Sequence, residues 1–137
     1  MKYTLIPHTA DMGIRVRHRT LPGLFRNAAF ALFDILTGVA RIKSQFHKTI
    51  SVQAVNTDEL LNEFLNRLLQ EFTVENNLIR RVAIKTLTPN SLSAVIYGEP
   101  FDPKRHHIKI EIKAITFNDL YVKKGRNGYE AQVILDV

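Results

Sequence analysis

The sequence predicts one α+β domain spanning residues 1–137, a mostly antiparallel sheet covered by two buried amphipathic helices in the order β-β-α-β-α-β-β-β-β. Three observations predict it. Apolar residues recur at three- and four-residue spacing in only two segments. They alternate with period two through most of the remainder, and the last four strand-like runs follow one another across turns with no helix between them. A chain of 137 residues, 45% hydrophobic, suffices for one buried core.

The elements follow in order. Met1 to His8 meets Pro7 and then charge before a signal-peptide apolar region could form, so this stretch is not expected to be a signal peptide. Ile14 and Val16 then face one way while Gly13, Arg15 and Arg17 face the other. Thr20 can cap a helix whose apolar set is Leu21, Leu24, Phe25, Ala28, Ala31, Leu32 and Ile35. Pro22 suits its first turn and Gly38 its stop, and apolar residues around so much of its circumference call for deep burial. Ile50, Val52 and Ala54 alternate with Ser51 and Gln53. Asn56, with Glu59 three residues on, opens a second helix striped by Leu60, Leu61, Phe64, Leu65, Leu68, Leu69 and Phe72. Asp58 and Glu59 suit the positive end of its dipole. Further strands are expected at Val82–Thr86, at Leu92–Gly98 after a Pro89-Asn90-Ser91 turn, at Ile108–Ala114 and at Tyr129–Val137 after a Gly125-Arg126-Asn127-Gly128 turn. Loops fall at 7–11, 39–47, 99–107 and 123–128.

Composition excludes several functions. With no cysteine there is no disulfide framework, thiolate metal site or cysteine nucleophile. Ala28 to Leu36, the longest apolar stretch, is broken by Asp34 and falls short of the roughly 20 residues a bilayer needs. The cytoplasm is the default location. A net charge of +6 favours polyanionic partners or a merely soluble surface. It is unevenly spread, because residues 57–75 hold five acids and one base, leaving +10 elsewhere. Such a two-sided chain suits an adaptor as well as an RNA binder. No phosphate-cradling glycine loop, HExxH zinc motif or GxSxG elbow is present.

His18 and His47 have no polar company at meaningful spacing. His8-Thr9-Ala10-Asp11-Met12-Gly13-Ile14 differs, placing an imidazole and a carboxylate three residues apart before a strand. On pattern alone Asp11 reads as an Asx turn. The chain ends, however, on Asp136-Val137, which gathers a side-chain carboxylate, a carbonyl and an α-carboxylate within a few bonds. If the terminal strand lies beside the one starting near Asp11, two carboxylates converge and call for a proton or a cation.

Three stretches, His8 to Ile14, Ile112-Lys113-Ala114-Ile115-Thr116-Phe117, and Gly128-Tyr129-Glu130-Ala131-Gln132-Val133-Ile134-Leu135-Asp136-Val137, resemble in order the hallmark segments of the archease family. Gly98-Glu99 and His106 resemble intervening family positions, so the likeness spans the chain. The resemblance implies a small α+β protein cofactor of RtcB-type RNA ligases, which join tRNA halves and other cleaved RNAs. Such a ligase consumes GTP through a guanylylated histidine and needs divalent metal. Its archease speeds guanylylation and permits multiple turnover, using a metal-binding acidic tip. By the same resemblance the metal ligands fall on Asp11, Asp136 and an oxygen of Val137, Lys113 matches an activity position, and His8 and His106 match positions near the tip. Glu99 ranks below the two aspartates there. Oxygen ligation selects a hard cation, Ca²⁺ foremost with Mg²⁺ or Mn²⁺ as alternatives, whereas His8 as a ligand would tilt the site toward a transition metal.

Lys113 is expected on the polar face of its strand, opposite Ile112. Phe117 and Asn118 stand where the family often carries Tyr and His, and Tyr129 where Trp is common. Many archeases are acidic, unlike this chain. Two other readings compete: a basic tRNA- or RNA-binding chaperone acting on a tRNA-processing enzyme, and a metal-dependent hydrolase. The hydrolase lacks a recognisable base or nucleophile.

Overall fold

A computed structural model describes residues 2–8 and 11–137. Among them the elements run β1 (Thr4–His8), β2 (Asp11–His18), α1 (Leu21–Leu36), β3 (Phe46–Gln53), α2 (Thr57–Thr73), β4 (Asn77–Leu87), β5 (Ser91–Pro100), β6 (Ala114–Gly125) and β7 (Gly128–Asp136), with a short 3₁₀ turn at Val39–Arg41. The predicted order holds. The antiparallel strands are divided between two sheets, β1-β2-β7-β6 and β3-β5-β4.

Both helices begin where their caps predict. Thr20 accepts from the Gly23 N–H at 3.1 Å and Asn56 from the Glu59 N–H at 2.9 Å, each satisfying a donor that the first turn leaves free. Past α1 the chain turns through Gly38 at φ 95°, a conformation that favours glycine. Helix α1 packs on β2 and β7 of the first sheet and β4 of the second, while α2 packs on β6 of the first and on β3, β4 and β5 of the second. The helices thus join the two sheets through one core. That position explains why α1 buries Leu24, Phe25, Ala28, Ala31, Leu32 and Leu36 completely. The Phe25 and Phe64 rings, with centroids 5.7 Å apart, lock the helices together.

One strand lies elsewhere than predicted. The alternation at Ile108–Ala114 is real, with Ile112 buried and Lys109, Glu111 and Lys113 exposed, but residues 108–113 form no strand. Here the backbone bonds singly to other elements: Lys109 N–H to the Leu36 carbonyl at 2.8 Å and Lys113 N–H to the Asp136 carbonyl at 2.7 Å. The Thr37 hydroxyl also holds the His107 carbonyl at 2.7 Å. This extended segment crosses from one sheet to the other over the end of α1, so period two reports one buried side and not a ladder. Lys113 consequently lies outside any strand. The true sixth strand occupies much of the expected 123–128 loop, and only Arg126 and Asn127 remain as its turn into β7.

Phe64 is fully buried between the helices, so Phe64→Ala is expected to cost about 3–5 kcal/mol in urea unfolding. Phe117→Ala, at a ring 61% exposed, should change stability by less than about 0.5 kcal/mol.

Candidate functional site

The site grows from strand register. β2 and β7 are antiparallel, with Met12 opposite Leu135 and Gly13 opposite Ile134. The ladder ends at Met12–Leu135, and the next residues on the two central strands are Asp11 and Asp136, so continuing the register brings their positions together. His8 pairs with Asp11 across β1, and Ala114 with Asp136 across β6. A single row therefore carries His8, Asp11 and Asp136 on neighbouring strands. Gly13 makes room for the next row: a Cβ there would lie 2.3 Å from an Ile6 side-chain carbon. Ile6 fills that space and braces β1 against β2.

Within the predicted 7–11 loop, Pro7, His8 and Asp11 belong to strands, and Thr9 and Ala10 lie outside the described residues. The His8 Nε2 is 3.1 Å from Asp119 Oδ2, while its buried Nδ1 lies 4.0 Å from Asp11 Oδ2 and has no hydrogen-bond partner. Asp119 is the residue that the motifs missed. It sits at φ 51° inside an irregularity where Thr116 opposes Ile134 but Tyr121 opposes Gln132, so Phe117 to Leu120 bulge out of β6. Consecutive Asn118 and Asp119 within a strand-like run are the signal for it, because Asn and Asp tolerate left-handed backbone. Phe117 and Asn118 are thus exposed bulge residues close to the acidic row in sequence and register.

Helix α2 fixes where this bulge begins. The Asn66 side-chain amide pairs with the Ile115 N–H at 3.0 Å and the Ile115 carbonyl at 3.1 Å, standing in for a neighbouring strand. Buried Asn62 donates to the Ile115 and Thr116 carbonyls. Asp58 accepts from the Val122 N–H at 2.9 Å, beyond the bulge, so this carboxylate anchors β6 as well as suiting the helix terminus.

The other expected tip residues are dispersed. Lys113 is exposed and meets Asp136 through its backbone N–H. Val137 is 38% exposed. Glu99 and His106 are buried, and neither has a described bond to Asp11 or Asp136. Glu99 instead accepts from the Lys43 N–H at 2.7 Å, meets His106 Nε2 at 2.9 Å and pairs with Arg105. His106 Nδ1 accepts from the Asp102 N–H, and its ring stacks on Phe101. This cluster fastens the 101–113 segment and makes Glu99 and His106 structural anchors. Burial pushes the Glu99 carboxyl up, but the Lys43 N–H, His106 and Arg105 override it and hold the group below the usual carboxylate range. His18 and His47 also have company: His18 Nδ1 accepts from the Thr20 N–H, and His47 lies beside Tyr97.

Among the described residues no three His, Cys, Asp or Glu side chains converge as a metal cluster. A cation at the row would take two carboxylates, with main-chain or terminal oxygens and water completing its shell. That donor set fits a hard cation. Facing carboxylates on adjacent strands repel, which supplies the physical reason for a counter-charge.

Fold and site together define a class: two antiparallel sheets joined by two helices, with an acidic row where the first and last segments of the chain meet. The chain belongs to the archease family, whose model, described as Archease protein family (MTH1598/TM1083), matches residues 3–137. It is similar to "Protein archease" of Pyrococcus abyssi, at 34% identity over 95% of this chain and 94% of that protein. Its counterpart in Methanosarcina acetivorans is 29% identical over 99% and 96%. The solution structure of Methanobacterium thermoautotrophicum protein 1598 superposes with a TM-score of 0.80 at 24% identity, covering 98% of each chain. A Thermotoga maritima crystal structure titled as an archease, possible chaperone, gives 0.67 at 19% identity over 96% and 94%. These two likenesses concern the fold.

Removing a buried partner from the Glu99 cluster leaves the others desolvated, so Glu99→Ala should cost roughly 3 kcal/mol in denaturant unfolding. Glu99's lowered carboxyl contributes stability that is present above the ordinary carboxylate pKa and is lost as pH falls through the folded value. Acid unfolding of Glu99→Gln should therefore show a weaker pH dependence than wild type, and an unchanged pH profile would contradict this account.

Proposed function

We propose that the protein is a non-catalytic activator of an RtcB-type RNA ligase, with Asp11 and Asp136 holding a divalent cation, Ca²⁺ foremost, at the end that abuts the ligase's GTP site. The observation that supports this reading is the β2–β7 register, whose terminal pair Met12–Leu135 is followed on the two strands by the family-matched Asp11 and Asp136. Family membership supports the accessory role. In this reading the accessory protein promotes guanylylation of the ligase histidine and repeated turnover in tRNA splicing or RNA repair. The bound cation would offset the repulsion of the two carboxylates and present positive charge toward a polyanionic nucleotide. The protein's own groups do the rest. Asp119 orients His8 through Nε2, Val137 offers a main-chain oxygen, and exposed Lys113 can meet a phosphate or an acidic ligase group. Among the described residues no helix is long and apolar enough to cross a membrane, and a cytoplasmic setting with the ligase is part of the proposal.

With a cognate ligase, GTP and divalent metal, wild type should accelerate ligase guanylylation. Asp11→Ala or Asp136→Ala should reduce that stimulation by roughly tenfold or more with the fold retained. Stimulation equal to wild type in both variants would sink the idea. Ca²⁺ at a hundredfold excess over its Kd should stabilise wild type by about 2.7 kcal/mol, and Asp136→Asn should lose that gain. A Ca²⁺ response in Asp136→Asn equal to that of wild type would place the ion elsewhere.

A further inference from the structure

The first sheet has a second end, unlike the first in charge. β2 runs from Asp11 to His18, so at about 3.3 Å per residue its far end lies roughly 23 Å from the acidic row. There an open groove of about 520 Å³ is lined by Arg17, His18, Arg19, Lys123, Lys124 and Tyr129, with Asn127 and Glu130 at its edges. Gly128, at φ 130°, closes its floor: a Cβ would lie 2.6 Å from the His18 carbonyl oxygen, so only glycine lets the β6–β7 hairpin press against residues 18 and 19. That contact gathers cations from two distant parts of the sequence.

Their pairing is incomplete. Glu130 is the one carboxylate lining the groove, and it binds Arg17 at 2.6 Å and Lys123 at 3.5 Å. Arg19 and Lys124 are exposed and have no described ion-pair partner. We propose that this groove binds the phosphate backbone of single-stranded RNA, with Arg19 and Lys124 as its contacts, the Lys124 ammonium being held 5.9 Å over the half-buried Tyr129 ring and so presented at the groove. The wall chemistry selects the partner. Among the described residues the exposed large apolar side chains, Leu5, Val55, Val74, Phe117 and Val137, all lie outside the groove, whose lining thus supplies no exposed apolar anchor for a bilayer or for the apolar centre of a protein interface. A concave, cation-lined groove matches the backbone-tracking part of single-strand recognition. Glu130 acts as a brake that keeps Arg17 and Lys123 occupied. The inference goes beyond the activator reading and stands or falls on RNA binding measured without a ligase.

The experiment is fluorescence anisotropy of a labelled RNA of about 12 nucleotides, titrated with the full chain at several KCl concentrations. Wild type should bind with an affinity that falls as salt rises. Arg19→Gln with Lys124→Gln should weaken binding roughly tenfold and flatten the log-log salt slope by about 1.4, the value for two lost single-strand contacts. Glu130→Gln, checked by circular dichroism for retained fold, should bind more tightly and with a steeper slope. Arg81→Gln with Lys85→Gln removes the same charge from β4 and should leave affinity near wild type. Equal weakening by both double variants, or an unaffected Arg19/Lys124 variant, would overturn the proposal. Binding to phosphatidylserine vesicles without binding to RNA would overturn it in favour of a membrane surface.

Discussion

The pairing of β2 with β7 is the constraint on which the rest depends. It joins the second strand to the last, packs the first sheet against α1, and in a single register sets Arg17 against Glu130 at one end and Met12 against Leu135, the neighbours of Asp11 and Asp136, at the other. A one-residue slip would turn every inward side chain of β7 outward. Ala131, Val133 and Leu135, all buried on the helix side, hold that register through hydrophobic burial. The acidic row is therefore maintained by apolar residues on the opposite face of the same strands. Repulsion between its carboxylates is a local cost, which a bound cation would offset in the proposed function.

Buried polar groups do the positioning that periodicity cannot. Asn62 and Asn66 hold the start of β6 from α2, and the bulge that carries Asp119 to His8 follows directly after. Glu99, Arg105 and His106 fasten the long crossing between sheets, whose end delivers the Lys113 N–H to Asp136. Glu71 plays a similar part at the other end of α2, buried and bound to Lys48, Arg67 and Asn77. Burial raises its carboxyl, but those three bonds prevail and hold it lower than usual. At the opposite end of the first sheet Glu130 is held down to about 2, first by the Tyr121 hydroxyl and then by Arg17. Three carboxylates, Glu71, Glu99 and Glu130, are thus engaged by cations within the fold.

Much of this was legible in residue order. The caps at Thr20 and Asn56, both helix stripes and the element order follow from local rules that depend on neighbours a few residues apart. The convergence of Asp11 with Asp136 was legible only conditionally, because it needed the first and last strands to be adjacent. Ile108–Ala114 misled for a physical reason: alternation records which side is buried, and a crossing segment can bury one side without a strand partner. Glu99 and His106 matched family positions without revealing that they bind each other. Asp119 left only the faint signal of Asn-Asp within a strand. The division of charge between the ends of the sheet was not visible as net +6, since it arises when Arg19 and Lys124, over a hundred residues apart, meet across Gly128.

In the proposed function, the β2–β7 register makes one cation site from Asp11 and Asp136. The most direct measurement is a Ca²⁺ titration followed by NMR at the side-chain carboxyl carbons of the aspartates. The account predicts that the Asp11 and Asp136 resonances move together with a single affinity, while residues around His18 and Tyr129 stay in place. Movement of only one of the two, or of neither, would contradict it.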